Sequence, residues 1–183
     1  MSKSEKPVVP DLKSLLAEAS RASSKVTVPL KQGLREQIEA AEAELAELAA
    51  DAKPARMGAK SPVKEKAEEI EALRAEMAAS ALTFHFQALS AQDRVDIRHA
   101  MQGRDSEDEL NLRAIAAMCT KVVAADGTRF PERMTWQDFD ALRDSIGAAT
   151  FDLTIDAASN RAGGGDWSVP FSPNASHILG TVR

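Results

Sequence analysis

Tyrosine is missing from this 183-residue sequence, and the other aromatic residues are scarce and unevenly placed. All six phenylalanines and both tryptophans lie at or beyond Phe84. Because large aromatic side chains supply much of the apolar area that a core buries, we expect the larger core to form in the C-terminal half. The N-terminal half is expected to supply an arm and a tail.

Cysteine and clustered histidine are almost as rare. Cys119 is the only cysteine, so an intramolecular disulfide is excluded and a cysteine-based zinc site is not expected. In AIAAMCTKVV it falls on the apolar face of a predicted helix, which indicates a small buried residue rather than a reactive thiolate. His85, His99 and His177 are far apart and show no HxxxH or HExxH spacing. We therefore expect no enzyme active site, no metal and no cofactor.

The sequence also lacks concentrated positive charge and long apolar runs. The net charge is -5, made up of +2 over residues 1–30, -3 over 31–80 and -4 over 81–183. Proteins that bind nucleic acid usually gather Lys and Arg on one face, so nucleic acid is not an expected partner. No eighteen consecutive residues are apolar, and MSKSEKPVVP has no apolar core of signal-peptide length. We expect a soluble, cytoplasmic protein without a membrane partner.

Changes in composition divide the chain into three regions. Residues 1–24 have little apolar surface to offset the entropy of ordering, and we predict a disordered tail. Residues 25–89 are predicted to form a strand, a helical hairpin arm and a second strand. Residues 90–183 are predicted to form a C-terminal helical domain.

Apolar residues between 31 and 51 recur at spacings of four and three, which is typical of a helical seam. Pro54 and Gly58 interrupt this pattern, and Ser61 followed by Pro62 is typical of the start of a second helix. The two helices have similar lengths of about 31 and about 28 Å, which favours an antiparallel hairpin. Two solvated helices, or pairing with another chain including self-association, are the alternatives. The apolar seam residues are Leu34, Ile38, Ala41, Leu45 and Leu48, then Val63, Ile70, Leu73 and Met77, with Lys66 interrupting the second set.

Period-two patterns flank the predicted arm. KVTVPL precedes it and ALTFHFQALS follows it, and a helical hairpin returns the chain to the place where it left. We therefore predict one antiparallel pair of strands, with Val26, Val28, Phe84 and Phe86 facing the core. Two strands alone are marginal in water, so the pair should pack on the C-terminal helices. The predicted class is α+β, mainly α.

Start signals place the helices of the C-terminal domain. Ser90, Ser106 with Glu109, and Thr135 with Asp138 are typical helix N-termini. We predict that the second of these helices continues to Gly127, burying a stripe of Leu112, Ile115, Cys119 and Val122. GTRFPERM is predicted as a loop. The stretch AATFDLTIDAASNR fits a strand or a helix, of which we favour the helix, and NASHIL is predicted as one final helical turn.

The order of these segments resembles the tail assembly chaperones of long-tailed, siphovirus-type phages of actinobacteria. In that family a second helix ending in Met leads into a Thr-Phe-x-Phe-x-Ala-Leu strand, and Val-Pro-Phe-Ser lies near the C-terminus. The family usually has a stretch ending in His-Pro after this strand, where the present chain has SAQDRVDIRHAMQG. The resemblance covers roughly residues 25–177. Its matching residues are Met77, Thr83, Phe84, Phe86, Ala88, Leu89, Asn160, Val169, Pro170, Phe171, Ser172 and Ser176.

The resemblance implies a non-enzymatic role in the host cytoplasm. Such chaperones bind the long, hydrophobic tape measure protein, keep it soluble, and leave as tail tube protein polymerises around it. A structural tail or capsid component, including a scaffolding protein, is the main alternative, and a host-derived coiled-coil adaptor is another. We hypothesise that six arm residues form either the seam of the hairpin or part of the partner-binding surface: Leu34, Ile38, Leu45, Ile70, Leu73 and Met77.

Overall fold

The computed structural model of the protein describes residues 19–50 and 61–164. These residues are mostly helical with one small antiparallel sheet, and the predicted α+β class is confirmed. Residues 1–18 of the predicted tail, the loop around Pro54 and Gly58, and the predicted NASHIL turn lie outside the described residues. In chain order the elements are β1 (Ser23–Pro29), α1 (Leu34–Ala50), α2 (Pro62–Ala79), β2 (Ala81–Gln87), α3 (Ala91–Ala100), α4 (Glu107–Met118), β3 (Cys119–Ala124), α5 (Trp136–Ile146), α6 (Ala148–Phe151), a π-helical turn (Asp152–Asp156) and α7 (Ala157–Gly163).

The sheet has three strands in the order β1-β2-β3. β1 and β2 are antiparallel with Val26 opposite Phe84, so the predicted pairing of these two strands is confirmed. Val28, Phe84 and Phe86 are buried on the inner face, and Val26 is half-buried against the core. Ser23 already belongs to β1, inside the range predicted as tail.

The prediction of a sheet of only two strands is wrong, and so is the prediction of one continuous helix from Ser106 to Gly127. The helix ends at Met118, and Cys119–Ala124 forms a third strand antiparallel to β2. The β-branched residues Thr120, Val122 and Val123 favour an extended chain that packs on a neighbouring strand. A β-bulge leaves Thr120 unpaired in the register and turns both Cys119 and Val122 toward the core. Cys119 and Val122 are therefore three positions apart and both buried, a spacing that is also typical of a helix.

Helices α4 to α7 and the π-helical turn cover the inner face of the sheet. Phe84 on β2 and Phe139 on α5 are fully buried, with ring centroids 6.1 Å apart. Such tilted aromatic pairs add attraction to the burial of apolar area. The buried core cluster consists of Val28, Phe84, Phe86, Leu112, Ile115, Met118, Cys119, Val122, Phe139, Leu142, Ile146, Phe151, Ile155, Ala158 and Ala162.

The predicted N-termini of the helices in the C-terminal region are confirmed, but one predicted capping interaction is not. Ser90 with Asp93 and Thr135 with Asp138 form reciprocal capping boxes. The spacing of Ser106 and Glu109 also predicts a capping box. The Ser106 hydroxyl accepts a hydrogen bond from the Glu109 amide, but the Glu109 carboxylate does not accept the reciprocal bond from the Ser106 amide, so this part of the prediction is wrong. That carboxylate instead accepts hydrogen bonds from two arginines, Arg104 at 2.6 Å and Arg113 at 2.7 Å. Because the charged guanidinium groups, Arg113 first, hold this carboxylate, the pKa of Glu109 is lowered.

The segment after Gly147 is helical, as favoured from its alanine content. Within it, Asp152–Asp156 forms a π-helical turn between α6 and α7. GTRFPERM is largely a loop, as predicted. The Thr128 carbonyl accepts a hydrogen bond from the Ala124 amide at 2.8 Å, and the Phe130 amide donates one to the Val122 carbonyl at 3.1 Å. This loop therefore covers the outer edge of β3.

Candidate partner-binding surfaces

Helices α1 and α2, called the arm from here on, leave the sheet together from one corner. They contain 17 and 18 residues, about 26 and about 27 Å. The remaining described elements, the three strands with α3 to α7, are called the base. At the junction, Ser80 accepts a hydrogen bond from the Lys31 amide at 3.2 Å. The Lys31 ammonium contacts the Glu76 carboxylate at 2.6 Å, so the chain that enters α1 is held to the end of α2.

The inside of the arm is only partly shielded from solvent. Among the described arm residues, only Ala41 and Ile70 are buried apolar residues, with 4% and 3% exposure. Leu48, at the far end of the predicted seam, is 36% exposed. Of the six predicted partner-binding residues, Ile70 is buried, and the other five are half-buried: Leu34, Ile38, Leu45, Leu73 and Met77. Their role in binding a partner stays a prediction.

Ion pairs join the two helices of the arm. Lys66, which interrupts the apolar face of α2, contacts Glu44 across the arm and Glu69 on its own helix, both at 2.7 Å. Hydrogen bonds to Glu44 and then Glu69 raise the pKa of Lys66. Arg74 likewise contacts Glu42 across the arm at 2.6 Å. The arm therefore combines few buried apolar side chains with solvent-accessible charge pairs, each of which contributes little to stability.

A shallow apolar groove lies on the base between α3, α4 and α5. Its cavity of about 340 Å³ is lined in part by Ile97, Ala116 and Trp136. The Arg113 guanidinium lies 5.1 Å from the Trp136 ring centroid, within the range of a cation–π contact. α3 contains no buried residue, although its apolar residues predict an amphipathic segment.

A second apolar cavity of about 350 Å³ lies beside β3. Leu82, Val122, Phe130 and Met134 are among its lining residues, and Phe130 is exposed. The sequence does not identify either cavity, because each depends on how the loop 128–135 and neighbouring helices pack against the sheet. Exposed apolar side chains such as Phe130 are the only local signal.

A basic row of Lys25, His85 and Lys121 crosses the outer face of the sheet, away from the core. Lys25 lies opposite His85 in the β1–β2 register, and His85 lies opposite Lys121 in the β2–β3 register. The three side chains line an open cavity of about 480 Å³. Partial burial, followed by the charges of Lys121 and Lys25, lowers the pKa of His85. The alternating pattern places Lys25 and His85 on this face, but Lys121 joins them only because β3 is a strand.

The described residues contain no group of three or more His, Cys, Asp or Glu side chains arranged to hold a metal ion. Cys119 is buried, as predicted, although it begins β3 rather than lying within a helix. Burial raises the pKa of its thiol to about 11, so the reactive thiolate form is disfavoured at neutral pH. His99 is exposed on α3, and His177 lies outside the described residues.

None of the helices in the described part of the chain is both long and apolar enough to cross a lipid bilayer. Comparison with models of protein families, with curated proteins and with solved structures finds no significant match to this chain.

Proposed function

We propose that this protein is a tail assembly chaperone of a siphovirus-type phage, acting in the host cytoplasm on the tape measure protein. The chaperone binds apolar helical segments of this client and keeps them soluble until tail tube protein assembles around it. The proposal rests on the ordered motifs of the sequence, which resemble those of such chaperones. The half-buried apolar residues of the arm support it, and it requires no catalytic chemistry.

The structural observation that supports the proposal is the partial burial of the arm's apolar seam. Five of the six predicted partner-binding residues are half-buried, and none of the arm's described residues belongs to the core cluster of the base. An amphipathic client helix could therefore lie along the arm or take the place of one of its helices without disturbing the base. Helix-in-groove recognition uses apolar residues repeated at this spacing.

Co-expression with the tape measure protein of the same phage tests the proposal. We expect the client to remain soluble with the wild-type chain and to be retained with it in a pull-down. The variant Leu45→Gln/Leu73→Gln should lose client solubility and binding, since it replaces half-buried apolar seam residues by polar ones. Ala40→Gln/Ala43→Gln, which changes exposed residues of the same arm, is the matched control.

Circular dichroism of both variants shows whether the arm remains helical, which separates loss of binding from loss of folding. Equal solubility of the client with and without the wild-type protein would contradict the proposed role.

A structural or scaffolding component of the particle would share the helical arm and the acidic charge. Peptide mapping of purified virions separates this alternative from a chaperone. We expect peptides of the tape measure and tube proteins but none from this chain. Many copies in the finished virion would favour the structural alternative.

A further inference from the structure

Two basic residues on the outer face of the sheet have no acidic partner among the residues that the structure describes. Lys25 and Lys121 are exposed, and neither forms an ion pair within the described part of the chain. They flank His85, so their Cα atoms are separated by two strand spacings, about 10 Å. In the neighbouring pair of the β1–β2 register, the hydroxyl groups of Thr27 and Thr83 form a hydrogen bond of 2.8 Å with each other. In a protein of net charge -5, this face is a local positive patch.

Helix α1 carries the opposite charge on the side that faces away from α2. Glu36, Glu39 and Glu47 fall on the helical face opposite the seam, and all three are exposed. Within residues 19–50 and 61–164 none of them forms an ion pair, whereas Glu42 and Glu44 are paired across the arm. The side chains that lie between these glutamates on that face are small, namely Ala40, Ala43 and Ala46, so another surface can approach the helix closely.

The two surfaces match in charge and in spacing. Glu39 and Glu47 are separated by about 12 Å along the helix axis, close to the separation of about 10 Å between Lys25 and Lys121. With its axis laid across the strands, α1 is about 26 Å long and spans all three of them. We propose that the outer face of the sheet binds the exposed acidic face of α1 from a second copy of this chain.

This contact joins two different patches of the molecule. In a two-fold dimer, the sheet of each copy binds α1 of the other. Alternatively, successive copies bind in the same way and form a ring or an open chain. The contact uses neither the seam of the arm nor the apolar cavities of the base. It is therefore compatible with client binding and does not depend on it.

Sedimentation velocity of the full chain over a range of concentrations tests the proposal. We expect self-association at about 0.05 M salt that weakens by at least about tenfold at about 0.5 M, because exposed charge contacts are screened. Lys25→Glu/Lys121→Glu and Glu39→Lys/Glu47→Lys should each be monomeric under the low-salt conditions. Arg94→Glu/Arg98→Glu reverses two exposed charges on α3 and alters the net charge as the first variant does, so it serves as the control that still associates.

Mixing the two monomeric variants provides a complementation test. The glutamate-reversed chain retains a basic sheet, and the lysine-reversed chain retains an acidic α1, so we expect a mixed complex to form. Circular dichroism and thermal unfolding establish that each variant is folded. A monomeric wild type at low salt would overturn the proposal, as would association unchanged by the lysine reversal, or the absence of a mixed complex between folded variants.

Discussion

The arm and the base are stabilised by different interactions. The base buries a continuous cluster of 15 residues that includes four phenylalanines. The arm has only Ala41 and Ile70 as buried apolar residues in its described part, together with ion pairs at Lys66 and Arg74. Burial of large apolar side chains contributes far more to stability than exposed ion pairs do. From this difference we infer that the arm can open while the base stays folded.

The largest expected effect is in the base. Phe84→Ala removes a fully buried ring that packs on Phe139, and we expect the free energy of unfolding to fall by about 3–5 kcal/mol. Urea denaturation followed by circular dichroism measures this loss. Phe130→Ala, at an exposed ring, is the control and should change stability by less than about 1 kcal/mol. Similar losses in the two variants would contradict the assignment of the core.

The arm should respond to mutation locally. Ile70→Ala removes a buried side chain outside the core cluster, and we expect the free energy of opening the arm to fall by about 2 kcal/mol. Amide hydrogen exchange should become faster in α1 and α2 but not in β2. Leu48→Ala, at an exposed seam position, is the control. Equal acceleration in arm and base would show that they unfold as one unit.

The pH dependence of stability should reveal the environment of His85. Its pKa is lowered in the folded protein, so between that value and the ordinary value of 6.5 the unfolded chain binds more protons. Stability should therefore fall as the pH decreases below 6.5, and should level off once the pH lies below the folded pKa. His85→Gln should remove this contribution in thermal unfolding measured against pH. The same substitution at exposed His99 is the control.

The smallest effect is expected from the arm's ion pairs. Lys66→Gln removes the contacts to Glu44 and Glu69, and we expect slightly faster exchange in the arm, with less difference from the wild type at high salt. Lys64→Gln, which breaks only an exposed contact to Glu68 at 3.7 Å, is the matched control. A larger effect than that of Ile70→Ala would reverse the proposed order of contributions.

The pairing of β1 with β2 can be predicted because both strands alternate strictly and flank two helices of similar length. The third strand cannot, because the bulge at Thr120 places Cys119 and Val122 at a helix-like spacing while both face inward. The basic row on the outer face depends on that strand, so it is also hidden in the sequence. The seam of the arm can be predicted from the spacing of its apolar residues. The incomplete burial of these residues cannot, because it depends on how closely two alanine-rich helices pack.

Amide hydrogen exchange of the wild-type protein, measured separately for α1, α2 and β2, tests the central claim most directly. We predict that amides in the arm exchange at least about tenfold faster than those of β2, through openings that leave the base folded. Exchange of arm and sheet amides at one common rate, set by global unfolding, would contradict the claim that the arm opens independently.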